Sequence, residues 1–163
     1  MNKLRKEYIQ SGIFGINDAL VSTTGVIVGV SAGTGHKETI ILAGVVTILV
    51  EAISMGSGQY VSLKSAREYS QQGGLRVPVI SGVIMFWGYV LGGLVPLVPI
   101  LLLPVEQSRW AAIAGALIGL FILGYLKGKL VKTSRWHSAL EITVIGGIAT
   151  AIGLIVGTLF SVQ

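Results

Sequence analysis

The chain has 163 residues, 52% of them hydrophobic and only 12% charged, with a net charge of +5 and no cysteine. Mean hydropathy is +0.80. A soluble domain carries roughly 25% charged residues, so this composition argues against a soluble enzyme. It also argues against a nucleic-acid-binding domain, because the cations sit in short clusters beside hydrophobic runs; without cysteine, disulfides and thiolate metal sites are excluded.

A membrane-spanning helix needs about 20 mostly apolar residues, and five stretches qualify. A short tail with Lys3, Arg5 and Lys6 leads into the first, about residues 13–32. This stretch is too long, and too interrupted by polar residues such as Asp18, for a cleavable signal. The second covers about 39–61 and is followed by the most polar connection, 62–76. The third covers about 77–103; Pro96 and Pro99 are expected to kink it and Pro104 to end it. The fourth runs over about 110–126 and the fifth over about 139–160. The expected fold is an all-α integral membrane protein, a single five-span domain over residues 1–163.

Ten of the twelve Lys and Arg residues fall on the side of the N-terminal tail. Only Lys37 and Arg109 fall on the other. This asymmetry predicts a cytoplasmic N-terminus and a C-terminus outside. Trp110 and Trp136 sit at span edges, where indole rings favour the interface. Small-residue rows recur: Gly25-Gly29-Gly33, Gly88-Gly92, Gly115-Gly119 and Gly153-Gly157. Such rows let helix backbones approach closely, within a chain or between copies; for the first span the two uses are equally open.

A charge at bilayer depth is costly and marks function by default. Asp18 lies in the first span and Glu51 near the middle of the second; Glu141, near the start of the fifth, can reach the interface as an ion-paired or solvated carboxylate. On the second span Thr47, Glu51, Met55 and Gln59 repeat at four-residue intervals, and Ser62 continues their face. Carboxylate and amide oxygens suit hard cations, and a thioether suits softer ones. Together they fit a borderline ion such as ferrous iron. On the first span Asp18, Ser22 and Gly25 share a face, with Asn17, Thr23 and Thr24 adding oxygen. Two polar faces on adjacent helices describe a hydrated path. His36 and His137 lie in loops on opposite sides, and Gly33-Thr34-Gly35 lacks the Gly-Lys-Ser/Thr of a phosphate loop.

The segment Asn17-Asp18-Ala19-Leu20-Val21-Ser22-Thr23-Thr24-Gly25, continued by Val26-Ile27-Val28-Gly29-Val30, resembles the signature of the vacuolar iron transporter family. Ile53-Ser54-Met55-Gly56-Ser57-Gly58-Gln59-Tyr60-Val61-Ser62, with Arg67-Glu68, resembles the end of that family's second span. The two motifs cover about the first 70 residues in matching order. The resemblance implies a five-span homodimer, joined through the first span, that moves ferrous iron and often manganese out of the cytosol in exchange for protons. It assigns Asp18 and Met55 to the translocation path, with no cofactor beyond the transported ion. Two departures stand out. Well-studied members carry a long, glutamate-rich helical insertion between spans two and three, where this chain has about fifteen residues. The glutamate often found before Tyr-Val-Ser is Gln59 here, an amide that cannot take up a proton at neutral pH.

The expectation is therefore a minimal divalent-metal transporter, not an enzyme, in a lipid bilayer and most simply a prokaryotic plasma membrane. Its metal-binding residues would be Asp18, Glu51, Met55, Gln59 and Ser22, with Glu7 and Glu68 at the cytoplasmic mouth or merely solvated. A non-transporting scaffold or partner subunit, and a passive cation channel, are the alternatives.

Overall fold

The computed structural model describes residues 3–161 and, within its first helix, side chains from Lys6 onward. The side chains of Lys3 and Arg5, two of the cations that set the expected orientation, thus lie outside the described part. Five helices follow one another: α1 (Lys3–Gly33), α2 (Lys37–Tyr69), α3 (Arg76–Leu102), α4 (Val105–Val131) and α5 (Arg135–Leu159). Among the described residues there is no strand. Helices of 25 to 33 residues rise about 1.5 Å per residue and exceed the roughly 30 Å hydrocarbon core. All five are apolar enough to cross a membrane. Their outward faces carry large hydrophobic side chains such as Leu42, Val50, Leu91, Ile118 and Ile152. In water these would be a liability; in lipid they are solvated.

Four of the five helices are longer than the apolar stretch that announced them; α3 matches its own to within a residue at each end. Polar residues at a span's end keep helical backbone bonds, so α2 continues for two turns past Val61 to Tyr69. The fourth helix begins at Val105, before Trp110, which places Arg109 in a helix rather than a loop. Pro96 and Pro99 lie inside a continuous α3. α3 stops at Leu102, and its C-cap Leu103 is extended, the conformation favoured before proline; Pro104, which ends the span as expected, is also the N-cap of α4. The carbonyls that α3 leaves free at its end are met from α2, where Lys37 Nζ donates to the carbonyls of Leu101 (3.1 Å) and Leu103 (3.2 Å). Arg109 of α4 donates through Nε to Ser31 Oγ (2.9 Å) and through its guanidinium to the Ser31 carbonyl, fastening α4 to the end of α1.

In lipid the apolar effect does not drive helices together, so close packing of small residues does much of the work. The first helix packs most extensively on α3 and α5 and more thinly on α2 and α4; α2 leans chiefly on α3. The row Gly25-Gly29-Gly33 meets Gly153 and Gly157 of α5: a Cβ on Gly29 would stand 2.9 Å from the Gly153 carbonyl oxygen. The row thus packs within the chain on α5, one of the two uses left open for it. Gly88 and Gly92 of α3 pack against α1, and Gly56 of α2 faces Gly82 of α3. Gly115 and Gly119 meet only side chains. The close α4–α5 approach is instead made by Gly124 and Gly128, against the Ser138–Ala139 and Ser134–Arg135 backbones.

Candidate functional site

The polar stripe of α2 is displaced by one residue, about 100° around the helix, from its buried row Ile40, Gly44, Ile48, Ala52 and Gly56. Thr47, Glu51, Met55 and Gln59 are therefore partly exposed. On α1, Asn17, Asp18, Ser22 and Gly25 are likewise partly exposed, while Ala19, Leu20, Thr23 and Thr24 are buried.

The two helices run antiparallel, and one hydrogen bond fixes their register. Gln59 Nε2 donates to Ser11 Oγ at 2.9 Å, and Ser11 Oγ donates to the Glu7 carbonyl at 2.9 Å. Counting away from that tie, seven residues up α1 reach Asp18 and eight back along α2 reach Glu51, so the two carboxylates stand at nearly the same depth. Each lies within the other's electrostatic reach. Among the described residues, neither carboxylate takes a hydrogen bond or an ion pair from a protein group. Met55 packs onto Ala19, Ala52 and Tyr89, the small cluster beside Asp18. The structure thus brings Asp18 and Glu51 to one level, with Ser22 and Met55 each about one turn away along its helix, on opposite sides of that level. It sets Gln59 about two turns away, nearer the cation-rich end.

Ser22 is tightly held. Its hydroxyl donates to the Asp18 carbonyl at 2.7 Å and lies 2.6 Å from the Tyr89 hydroxyl. With the serine hydrogen committed to Asp18, Tyr89 must be the donor to Ser22. Tyr89, fully buried on α3, therefore orders the turn of α1 that carries Asp18. This residue was not picked out from sequence. The available signal was a tyrosine in mid-span rather than in the interfacial belt where the residue concentrates.

At the cation-rich end, Glu7 is neither a free cation attractor nor solvated. Its carboxylate pairs with Arg67 of α2 at 3.7 Å, both side chains only 17% exposed. Glu68 is exposed and lies 3.7 Å from Lys64. Glu141 pairs with Lys127 at 3.8 Å, the ion-paired option read from sequence.

Among the described residues no three His, Asp or Glu side chains converge. One chain thus offers Asp18 and Glu51 at one level and Met55 about a turn away, fewer donors than a closed metal shell needs. A two-fold axis beside this level would double them.

Comparison with known proteins gives the chain's relations. The family model for the VIT family matches residues 9–76 and 71–158. The two matches meet in the α2–α3 connection, where the long insertion was expected to be missing. Vacuolar iron transporter homolog 3 of Arabidopsis thaliana is 29% identical, covering 91% of this chain and 80% of that protein. Vacuolar iron transporter 1 of Eucalyptus grandis is 27% identical, covering 89% and 83%. The Eucalyptus alignment runs over 207 positions, more than the 163 residues here, so gaps must open in this chain. With nearly its whole length matched and both polar motifs in place on adjacent helices, the chain belongs to the VIT family.

Proposed function

We propose that this chain is a transporter of divalent transition metal, ferrous iron and also manganese, and not an enzyme. One observation carries the reading: two carboxylates at bilayer depth, Asp18 and Glu51, stand within each other's electrostatic reach with no ion pair to a protein cation among the described residues. Burying such a pair is costly, and a passing divalent cation relieves it. The names of the relatives, vacuolar iron transporters, supply the ion. Met55 adds a soft thioether beside hard oxygens, a combination that favours iron or manganese over magnesium or calcium. Gln59 would serve nearer the entrance through its amide oxygen, since its nitrogen is engaged by Ser11. Ser22 would offer its remaining lone pair.

The working unit is a homodimer of five-span chains, each a single domain, with two copies facing across the strip of α1 that carries Asp18 and Ser22. The glycines farther along this same face pack on α5, so the dimer contact uses the turns of α1 that carry Asp18 and Ser22. The sequence asymmetry, ten of twelve Lys and Arg in the segments on the N-terminal side, supports a cytoplasmic N-terminus. Metal enters there and leaves on the far side. On size alone we place the chain in a prokaryotic plasma membrane; in a vacuolar membrane the direction, out of the cytosol, would be the same. Exchange for protons runs through Asp18 and Glu51, the groups at this level that can carry one.

Metal uptake into proteoliposomes tests this, with ferrous iron and manganese, with and without a pH gradient. Uptake abolished by Asp18→Ala and by Met55→Ala is the expected result, and acceleration by the gradient identifies exchange. Uptake indifferent to the gradient would make the protein a passive channel. No uptake from a folded dimer would leave a scaffold.

A further inference from the structure

α1 and α5 are in backbone contact where Gly25, Gly29 and Gly33 meet Gly153 and Gly157; toward the cation-rich end the two helices instead line a cleft. There α4 joins them to enclose a side-opening cleft of about 460 Å³. Its rim carries Lys6, Gln10, Lys127 and Glu141, and its walls are apolar, formed by residues such as Ile13, Ile142 and Ile145. The α1 wall extends from Lys6 to Asn17, about 16 Å at the helical rise. That is close to the hydrocarbon depth of one leaflet, half of roughly 30 Å.

We propose that this cleft binds an anionic phospholipid, its headgroup phosphate at Lys6 and Lys127 and one acyl chain along the apolar wall. Charge selects the occupant. Two lysines against one carboxylate leave a net positive rim, which repels the metal cation and attracts phosphate. Glu141 already holds Lys127 at 3.8 Å, while Lys6 has no ion pair among the described residues. Lys6 is therefore the cation a phosphate engages first. Basic pockets between helices at a membrane face are suited to acidic headgroups. A soluble anion would use the rim but gain nothing from the apolar wall. The cleft is on the α4–α5 side of α1 and is independent of the transport reading.

The test is native mass spectrometry of the purified full chain from micelles containing equal phosphatidylglycerol and phosphatidylcholine of identical acyl chains. One phosphatidylglycerol should be retained per chain, preferred about fivefold, the effect of one net cation at a membrane surface. Lys6→Gln makes the rim neutral and should abolish the preference. Glu141→Gln adds a net charge and should raise it about another fivefold. Lys129→Gln, at the same end of α4 but outside the cleft, should leave it unchanged. Lack of preference in the wild type, or the same response to K6Q and K129Q, would overturn the proposal. So would displacement of the lipid by millimolar glycerol phosphate, which would make the ligand a soluble anion. Because the chain has no cysteine, an Ile145→Cys variant gives a further arm. A disulfide between copies in liposomes would show a second chain covering the cleft and would also refute lipid occupancy.

Discussion

The α1–α5 contact makes a quantitative prediction that uses two glycines on one helix. A Cβ built on Gly153 would lie 2.5 Å from the Gly25 carbonyl oxygen and 3.0 Å from its Cα. Ordinary contact begins at 3.4 Å, so the methyl falls about 0.9 Å short of the room it needs. The obstacle is helix backbone and cannot turn aside; α1 and α5 must separate, which also loosens Gly29 and Gly157. Overpacking of this kind costs about 1–3 kcal/mol. Gly147 lies less than two turns away on α5, where the same methyl would meet Leu117 Cδ2 at 3.7 Å, an ordinary contact. Replacing glycine by alanine within a helix gains up to about 1 kcal/mol from backbone propensity, and that gain is common to both sites. Gly147→Ala should therefore raise stability by up to about 1 kcal/mol and Gly153→Ala should lower it by up to about 2. Equilibrium unfolding in mixed micelles measures the difference, expected to be about 1–3 kcal/mol. Equal stabilisation by both substitutions would refute the close α1–α5 approach.

Tyr89→Phe keeps the ring but removes the donor to Ser22. It should cost about 0.6 kcal/mol, the average for a hydrogen bond between membrane helices, and should slow metal uptake because the Asp18 turn is freed; an unchanged uptake rate would deny Tyr89 its positioning role. Glu7→Gln leaves Arg67 partly buried without its partner and should destabilise by about 1–3 kcal/mol, somewhat less than for a fully buried pair. The Glu7→Gln/Arg67→Met double variant should recover part of that loss, and strict additivity in the unfolding cycle would show that the pair is not coupled. Gln59→Glu puts a proton-carrying group near the entrance. It should steepen the dependence of uptake on the pH gradient, whereas an identical dependence would remove Gln59 from the path.

Five spans were legible because a membrane helix carries its own signal: enough apolar residues in a row to cross lipid. The polar extension of α2 to Tyr69 gave no such signal, since it leaves the apolar region while its backbone bonds continue. Glycine rows announced close packing but not its partners. Gly25-Gly29-Gly33 was as consistent with a second copy as with α5. Gly124 and Gly128 were passed over because they straddle the lysine-flanked end of the fourth apolar stretch. At the candidate site, Asp18 and Glu51 stood out because charge in lipid is rare, and the four-residue repeat placed Met55 and Gln59 on one face. The repeat alone put Gln59 two turns from Glu51 but did not give the register of α2 against Asp18. The Gln59–Ser11 bond, between residues 48 apart, supplies that register and sets Gln59 away from Asp18 as well. The Glu7–Arg67 pair was hidden for the same reason, because sequence does not show which helix ends meet.

The central claim is that metal crosses the membrane past the unpartnered carboxylates of Asp18 and Glu51. Initial rates of manganese uptake into proteoliposomes test it most directly, using Asp18→Asn and Glu51→Gln. Both substitutions keep side-chain shape and remove only the charge. The account predicts that each variant folds and assembles like the wild type and loses at least tenfold in rate, about 1.4 kcal/mol or more. Wild-type rates in both variants would contradict it and move the path elsewhere in the bundle.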